Sequence, residues 1–452
     1  MVVSDNETVF ALSSSLSSGS SLRTGSGAPP AGIPKPIAYY FFASLFLWAC
    51  CLVTIGYWRF LAHRPTPYNT LRMPAPLFRD LWCYHAQFVH LHSYDFFKDT
   101  RMEMFPYPPG SAFPFAIFND VLPHFHTIPY IVLTFLGIAS LVVLFAKRLR
   151  ELDVKGWRLY ALSVAPLLLI FPFQFVYTTG NIEIVLFLLL IYGVLAFLRG
   201  HFATAAILIG FCASMKMYPF VLIALFIPVR RYREMALAAV TFVVSIVGGL
   251  WLECPDIPFA WRACREALQI NRSEMMQNFL FIQTAADHSI WGLVKAIAYV
   301  LTKHQYHSSK SVTVYLGVMA LAGITMYFGR IRKLPLLNQI VCLYLCLLLL
   351  VPESFEYTLI HLALPWALLV LYTIHQARQR LSLRGLTPVF LCFAFVLSAE
   401  NELVFHYGYW GPAKCVAMLV LLAFALMQPW RYLEDVDWIA VDVRNRLRPT
   451  DR

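Results

Sequence analysis

The sequence predicts an all-α, polytopic membrane protein with about ten full transmembrane helices and one broken, re-entrant hairpin. Of its 452 residues, 59% are apolar and only 13% are charged. The apolar residues gather in repeated blocks separated by short polar segments, and most blocks are long enough to cross about 30 Å of hydrocarbon. Helices in lipid pack against one another as one unit, so we expect one membrane domain at 37–428 with a tail on either side.

Ten apolar blocks have the length and composition of spans. They lie at 38–58, 128–146, 159–177, 181–198, 235–252, 312–329, 336–351, 358–374, 386–399 and 412–428. Another block, 202–228, is too short for two ordinary helices, yet basic residues flank both of its ends. Basic residues favour the cytoplasmic side, so both ends are predicted to face the cytoplasm. The block is therefore predicted to form a hairpin whose tip is the break at 216–219.

Basic residues also predict the orientation of the chain. With this hairpin, the segments predicted to face the cytoplasm hold 22 of the 36 Lys and Arg residues. Both termini are therefore predicted to be cytoplasmic, and the protein is expected in the cell (inner) membrane. The outer side then carries two long loops, 59–127 and 253–311, and three short turns. Basic residues that orient the chain in the membrane explain the net charge of +11 better than nucleic-acid binding does. No basic stripe interleaved with aromatic residues lies outside the turns between spans.

The polar ends and the cysteines predict little chemistry. Residues 1–36 are rich in Ser, Gly and Pro, which predicts a disordered cytoplasmic tail, and 429–452 is predicted to be a second cytoplasmic tail. The apolar stretch that begins at Ile37 is too long for the apolar region of a cleavable signal peptide. Most of the ten cysteines lie in apolar blocks, whereas Cys254 and Cys264 share one outer loop, which permits a disulfide between them.

The first outer loop contains the main catalytic candidate, Asp80. A partly desolvated carboxylate is a better base because its pKa rises, and it can take a proton from a sugar hydroxyl. The alternative is a solvated acid paired with Arg79. Further along the loop, the Tyr-Pro-Pro element at 107–109 fixes several φ angles. Tyr107 therefore suits stacking on a sugar or a lipid chain, or simply marks the entry of a helix.

Lys216 is the least expected residue of the sequence. An unpaired ammonium among apolar helices costs a few kcal/mol, so an anion is expected to meet it. A phosphate of a lipid-linked donor suits a lysine, and a salt bridge to an internal acid such as Glu183 is the structural alternative. Asn181 resembles a helix N-cap, and Glu183 in the first turn then complements the helix dipole.

A late outer turn, 351–357, places two carboxylates near His361. A metal site there is conceivable, but no recognised ligand spacing supports one. In the second long loop, Asp287 and His288 precede Ser-Ile-Trp-Gly and are predicted either to orient an acceptor or phosphate or to begin a surface helix. Residues 271–273 match an N-glycosylation sequon, which has meaning only in a eukaryote.

These motifs, taken in their order along the chain, resemble one family. They comprise one span, a long outer loop with an Asp, Tyr-Pro-Pro, Gly-Asn-Ile-Glu, Ala-Ser-Met-Lys-Met-Tyr-Pro, His-Ser-Ile-Trp-Gly and a late Pro-x-Ser-aromatic turn. Over residues 38–428 the chain resembles the polyprenol-phosphate-mannose-dependent α-mannosyltransferases of the GT-C superfamily, which are bacterial integral-membrane glycosyltransferases. The resemblance implies a GT-C-like fold and transfer of a hexose, with mannose as the expected sugar, from a polyprenyl-phosphate sugar to a glycan or glycolipid acceptor. It further implies inversion at the outer face without a nucleotide donor.

The resemblance also implies residue roles. Asp80 would be the base that deprotonates the acceptor hydroxyl, and Lys216 would meet the donor phosphate. Phosphate is already a competent leaving group, so neither a metal nor a cofactor is expected. The remaining substrate-binding candidates are Arg79, Tyr107, Asn181, Glu183, His288, Glu356 and His361. Where relatives often carry Ser-Trp-x-His, this chain has Ser354-Phe355-Glu356-Tyr357, so His361 or His288 is expected to substitute, or the donor differs from mannose.

Two other classes of function compete with the enzyme. In a transporter or flippase of a lipid-linked saccharide, Lys216 and Glu183 would line a pathway. Transporters usually contain paired broken helices, whereas the sequence has one broken block. A non-catalytic assembly subunit is the second rival. The enzymatic interpretation requires Asp80 and Lys216 to share one hydrated site.

Overall fold

A computed structural model describes nine segments of the chain. They are residues 32–63, 78–97, 107–121, 127–271, 286–302, 309–400, 403–404, 409–433 and 436–443. Every regular element in these segments is helical, and the described residues from Ile33 onwards form one unit. The all-α prediction is confirmed. Residues 1–31 of the predicted tail lie outside the described residues. Residues 272–273 of the sequon also lie outside them.

Seventeen helices occur in the described segments. They are α1 Lys35–Gly56, α2 Arg79–Phe88, α3 Ala112–Val121, α4 Thr127–Glu151, α5 Trp157–Ser163, α6 Ala165–Leu169, α7 Phe171–Thr179, α8 Glu183–Leu198, α9 Phe202–Met215, α10 Tyr232–Glu253, α11 Ile257–Asn271, α12 Ile290–Thr302, α13 Ser309–Gly329, α14 Leu336–Leu349, α15 Ala363–Arg378, α16 Leu386–Val396 and α17 Trp410–Met427. The longer 3₁₀ segments are Tyr218–Phe226 and Glu356–Leu362.

Within the described segments, six helices are long and apolar enough to cross a membrane, and a bent pair makes a seventh. The six are Lys35–Gly56, Thr127–Glu151, Tyr232–Glu253, Ser311–Lys333, Glu356–Arg378 and Trp410–Met427. These confirm a polytopic membrane protein. The spans predicted at 181–198, 336–351 and 386–399 form helices of 16, 14 and 11 residues, so the count of ten full crossings stays a prediction.

The span predicted at 159–177 is not straight. Trp157–Leu169 and Phe171–Thr179 meet at 54°, and Ile170 between them is extended, with ψ of 95°. Pro172 has no N–H to continue the helix. The N–H of Phe171 instead donates to the carbonyl oxygen of Leu397 at 2.9 Å, which satisfies the backbone at the bend. A neighbouring helix thus stabilises a break that length and apolarity alone did not predict.

The block at 202–228 is a hairpin, as predicted. Its first arm is α9 and its second is the 3₁₀ segment Tyr218–Phe226. The guanidinium of Arg231 lies 4.4 Å from the ring of Phe202, so the two ends of the hairpin meet. At about 1.5 Å per residue in the α-helix and about 2.0 Å in the 3₁₀ segment, each arm is roughly 20 Å long. Each arm is therefore shorter than the roughly 30 Å thickness of the hydrocarbon core, which is the geometry of a re-entrant hairpin.

A glycine pair locks the first long loop against this hairpin. A Cβ at Gly249 on α10 would lie 2.0 Å from the carbonyl oxygen of Pro109, and one at Gly110 would lie 2.6 Å from the carbonyl oxygen of Ser214. The Pro109–Gly110 backbone therefore wedges between α10 and the end of α9, where a larger residue would not fit. This wedge brings Tyr107 to the hairpin tip.

The opposite end of the bundle, here called the basic end, is closed by the residues after α17. Trp430 and Tyr432 are buried, and the N–H of Ala440 donates to the carbonyl oxygen of Leu198 at 2.9 Å. Arg231 pairs with Asp442 at 3.0 Å. The described part of the predicted C-terminal tail is thus packed onto the membrane helices.

Candidate active site

A fully buried carboxylate, Glu183, is the centre of the site. It begins α8 and contacts three side chains. Its oxygens pair with the ammonium of Lys216 and accept a hydrogen bond from the hydroxyl of Tyr218, and Oε1 lies 2.7 Å from Nε2 of His361. A buried charge is stable only with such partners. The salt bridge considered as the alternative for Lys216 is therefore present.

Lys216 nevertheless remains accessible. Its ammonium lies 5.1 Å from the ring centroid of Tyr107 and 4.8 Å from that of Tyr357, and the side chain is 11% exposed while Glu183 is fully enclosed. Two aromatic rings and one carboxylate surround the ammonium, and each of them attracts positive charge. An ammonium has three donors, so Lys216 can bind a further anion without leaving Glu183.

Asn181 connects this pair to Asp80. Its Nδ2 donates to Oδ2 of Asp80 at 2.7 Å, and its Oδ1 accepts from the backbone N–H of Glu183 at 3.0 Å. The residue at the N-cap of α8 is Ile182, so Asn181 lies one position earlier than predicted, although its side chain still accepts from an N–H of the first turn. Asp80 itself is partly buried in the first turn of α2, which is held in place where the N–H of Phe78 donates to the carbonyl oxygen of Thr178 at 2.8 Å. Asp80 and Lys216 thus flank one short polar link.

Tyrosine side chains lie near both Asp80 and Lys216. The ring of Tyr84 lies edge-on to that of Tyr107, with centroids 5.4 Å apart. Burial raises the pKa of Tyr107 well above its ordinary value, and the neighbouring Tyr84, Tyr357 and Asp80 raise it further. Tyr107 therefore stays protonated and can donate a hydrogen bond at neutral pH. We call the following set the Glu183 cluster: Asp80, Tyr84, Tyr107, Asn181, Glu183, Lys216, Tyr218, Tyr357 and His361.

A second acid lies close to the same lysine. Burial raises the pKa of Glu353 to about 8, and the charge of Asp287 raises it while those of Lys295 and Lys216 lower it. Glu353 is therefore largely protonated at neutral pH. The sequence pointed to this turn but gave no reason to choose Glu353 over Glu356.

Two predicted residues, His288 and Glu356, belong to a different group. Oε2 of Glu356 lies 3.0 Å from Nε2 of His288, and the ammonium of Lys414 donates to both Glu356 oxygens at 2.7 and 2.8 Å. The nearby carboxyl group of Glu400 is also buried. We call His288, Glu356, Glu400 and Lys414 the Glu356 cluster. His288 thus precedes the start of α12, as predicted, and this helix has one exposed face, although His288 itself is fully buried.

The Glu356 cluster contains potential metal ligands, but its charge does not suit a metal. One ligand atom from each of His288, Glu356 and Glu400 lies within 4.8 Å of the others. The ammonium of Lys414, however, already contacts both oxygens of Glu356 and the carbonyl oxygen of Ser398 at 2.8 Å. A lysine at this position repels a divalent cation and supplies the positive charge itself. The donor set therefore fits an internal ion pair.

Several site residues were not predicted. Tyr84 was not singled out, and Tyr218 and Tyr357 were quoted only as parts of longer motifs, with no role of their own. Lys414 could have been found from the sequence, because it is a charged residue inside a predicted span. It is as unexpected there as Lys216 is inside its apolar block. Arg79 begins α2, but its side chain lies outside the described residues.

An apolar cavity of about 140 Å³ lies beneath the Glu183 cluster. Along α8 it is lined by Phe187, Ile191 and Leu195, and it ends at Arg199 near the basic end. The other walls come from α4, from α5–α7 and from α15. Phe187 follows Glu183 by one helical turn, and its ring centroid lies 6.0 Å from that of His361. We call this cavity the apolar slot.

Fold and site together define a multi-pass membrane protein whose buried acid–lysine cluster lies directly above an apolar slot. Residues 105–352, more than half of the chain, match the family model of glycosyltransferase family 87. The chain therefore belongs to glycosyltransferase family 87, which is a family of membrane glycosyltransferases. A comparison with proteins of curated function finds no match. The matched region includes Glu183 and Lys216 but ends before Glu356.

Family membership supports the enzyme over its two rivals. A glycosyltransferase acts on a sugar donor and an acceptor, and this one does so as a multi-pass membrane protein.

Proposed function

We propose that the protein transfers a hexose, with mannose as the expected sugar, from a polyprenyl-phosphate sugar to a glycan or glycolipid acceptor at the extracytoplasmic face, with inversion. The observation that supports this most directly is the link Asp80–Asn181–Glu183–Lys216. In this link Asp80, the proposed base, and Lys216, the proposed partner of the phosphate, are connected through only two residues, Asn181 and Glu183. Reacting groups must be in near-contact geometry with one substrate, and a link made of only three short contacts supports this requirement for Asp80 and Lys216.

In the proposed reaction, Asp80 takes the proton of the acceptor hydroxyl, and the acceptor oxygen attacks the anomeric carbon. The bond between that carbon and the phosphate oxygen breaks on the opposite side of the sugar, and its electron pair leaves with the polyprenyl phosphate. The charge that develops on the leaving phosphate meets the ammonium of Lys216. Fixed positive charge at the leaving group lowers the barrier because it stabilises charge that grows in the transition state.

Glu183 and His361 serve Lys216 in this proposal. The buried carboxylate fixes the position of the ammonium, and His361 and Tyr218 occupy its remaining acceptor capacity. Lys216 is thus held in place before the phosphate arrives. Electrostatic groups that are already oriented need no reorganisation during the reaction.

The apolar slot supports a lipid-linked donor. A lipid phosphate bound at Lys216 needs an apolar path for its chain, and the slot begins one turn of α8 below Glu183. A cavity of about 150 Å³ with an apolar lining holds an apolar group such as benzene, so the slot of about 140 Å³ has room for part of a prenyl chain. Nucleotide sugars have no such chain.

The decisive experiment compares Asp80→Asn with wild-type protein in membranes supplied with radiolabelled polyprenyl-phosphate mannose. General base catalysis contributes about 10²–10⁴-fold, so turnover is expected to fall by that factor while the protein still folds. Asp95→Asn is the matched control, because Asp95 is an exposed acid of the same loop. Wild-type turnover in Asp80→Asn would exclude Asp80 as the base. Parallel assays with other polyprenyl-phosphate hexoses identify the sugar.

A further inference from the structure

One short 3₁₀ segment, Glu356–Leu362, belongs to both polar clusters. Its first residue, Glu356, contacts His288 and Lys414. The next residue, Tyr357, lies against Lys216, and His361 contacts Glu183. The two clusters are therefore not independent. Whatever fixes Glu356 also fixes the side chains that surround Lys216.

Glu356 is held by polar contacts from two side chains of the Glu356 cluster. The ammonium of Lys414 on α17 donates to both of its oxygens, at 2.7 and 2.8 Å, and to the carbonyl oxygen of Ser398 at 2.8 Å. Nε2 of His288 lies 3.0 Å from the same carboxylate. Lys414 and His288 are fully buried and Glu356 is 4% exposed. Removing the ammonium would leave a buried carboxylate with one partner, which is strongly unfavourable.

The segment that carries His288 also holds the backbone before the 3₁₀ segment. The N–H of His288 donates to the carbonyl oxygen of Ser354 at 2.7 Å, and the N–H of Ser354 donates to Oδ1 of Asp287 at 3.1 Å. Asp287 is itself paired with the buried Lys295 at 3.2 Å. The start of the turn is therefore fixed through both its backbone and its first side chain.

We propose that Lys414 and His288 are positioning residues of the donor site, which act through Glu356 to hold Tyr357 and His361 around the Lys216–Glu183 pair. This inference rests on the proposed role of Lys216 at the donor phosphate. Neither residue touches the substrate. Their effect is on where the ammonium of Lys216 is held, and a displacement of about 1 Å at a reacting group is enough to cost about 100-fold.

The test measures kcat and the KM for each substrate with the purified full-length protein in lipid nanodiscs and polyprenyl-phosphate mannose as donor. Lys414→Met is expected to raise the donor KM about tenfold or more, with the acceptor KM unchanged. Lys414→Arg keeps the charge and is expected to recover part of the loss. His288→Phe keeps most of the ring volume but has no nitrogen to contact Glu356, so it is expected to have a smaller effect of the same kind, which keeps the test valid if Lys414→Met fails to fold.

Asn338→Ala is the matched structural control. Asn338 is buried and its Nδ2 donates to the carbonyl oxygens of Ala425 and Gln428, each at 2.6 Å, so it holds the other end of α17. This variant is expected to lower the melting temperature without changing the donor KM. If Lys414→Met and His288→Phe behave in the same way, their role is structural only and the inference is wrong.

Lys216→Met separates this inference from the proposed function. If Lys216→Met leaves the donor KM unchanged, the proposed role of Lys216 fails. If Lys216→Met raises the donor KM but the Lys414 and His288 variants do not, only the positioning role fails. When both hold, adding Lys414→Met to Lys216→Met is expected to change the donor KM little further, because coupled residues are not additive.

Discussion

The side-chain amide of Asn181 donates to Asp80 at 2.7 Å while its carbonyl oxygen caps the backbone N–H of Glu183 at 3.0 Å. One residue thus orients the proposed base and fixes the start of the helix that carries the partner of Lys216. The two functions use opposite ends of the same amide, so substitutions can separate them.

Asn181→Asp is predicted to keep the cap and to lose the contact with Asp80. Aspartate caps helices as well as asparagine does, so the melting temperature should stay near that of the wild type. The new carboxylate cannot donate to Asp80 and repels it. A hydrogen bond to a charged group contributes about 1.5–3 kcal/mol, so kcat is expected to fall about 10- to 100-fold. Steady-state assays at saturating donor, with thermal melts of the same sample, check both parts, and unchanged kcat contradicts the role of Asn181.

Filling the apolar slot is predicted to weaken binding of long-chain donors selectively. Leu195→Trp places a larger side chain in the slot, so the KM for a long polyprenyl-phosphate sugar should rise by about tenfold, while a short-chain analogue is affected less. Leu168→Trp is the matched control, because Leu168 is 67% exposed on α6. Equal effects on both chain lengths would show that the slot does not hold the donor chain.

The sequence predicted the position of Lys216 well because two independent signals coincide there. A charge inside an apolar block requires a partner, and basic residues at both ends of the block require a turn between them. Asn181 was likewise predictable, since a cap followed by an acid in the first turn is a local pattern. Each of these inferences used residues that are close in sequence.

Apart from the Lys216–Glu183 salt bridge, which the sequence analysis offered as an alternative, the partners of these residues were not predictable. Tyr107 and Tyr357 meet at Lys216 from segments separated by 250 positions, and only tertiary packing brings them together. His288 was considered a substrate-binding residue, but it pairs with Glu356, 68 positions away. The bend at Ile170 had a local signal in Pro172, which a criterion of length and apolarity ignores.

Lys414→Ala is predicted to convert the Glu356 cluster into a metal-binding site. Without the ammonium, His288, Glu356 and Glu400 present a nitrogen and two carboxylates that are close enough to share one ion. Addition of Zn²⁺ or Mn²⁺ should therefore raise the melting temperature of Lys414→Ala and leave that of the wild type unchanged. Reversal by a chelator is the control, and an equal response of both proteins would indicate binding elsewhere.

The buried acids Glu353 and Glu400 predict how the stability of the protein depends on pH. Burial raises the pKa of Glu353 and of Glu400 to about 8, above the ordinary value of 4.5. Between pH 4.5 and about pH 8 the folded state therefore binds more protons than the unfolded state. The free energy of unfolding is highest below about pH 4.5 and decreases as the pH rises towards 8. The melting temperature of the detergent-solubilised protein is thus expected to fall between pH 5 and about pH 8. Glu353→Gln and Glu400→Gln should each flatten this slope, since a glutamine has no proton to lose. Glu266→Gln, which replaces an exposed glutamate of α11, should leave the slope as it is, and a wild-type slope in both buried variants would contradict the assignment.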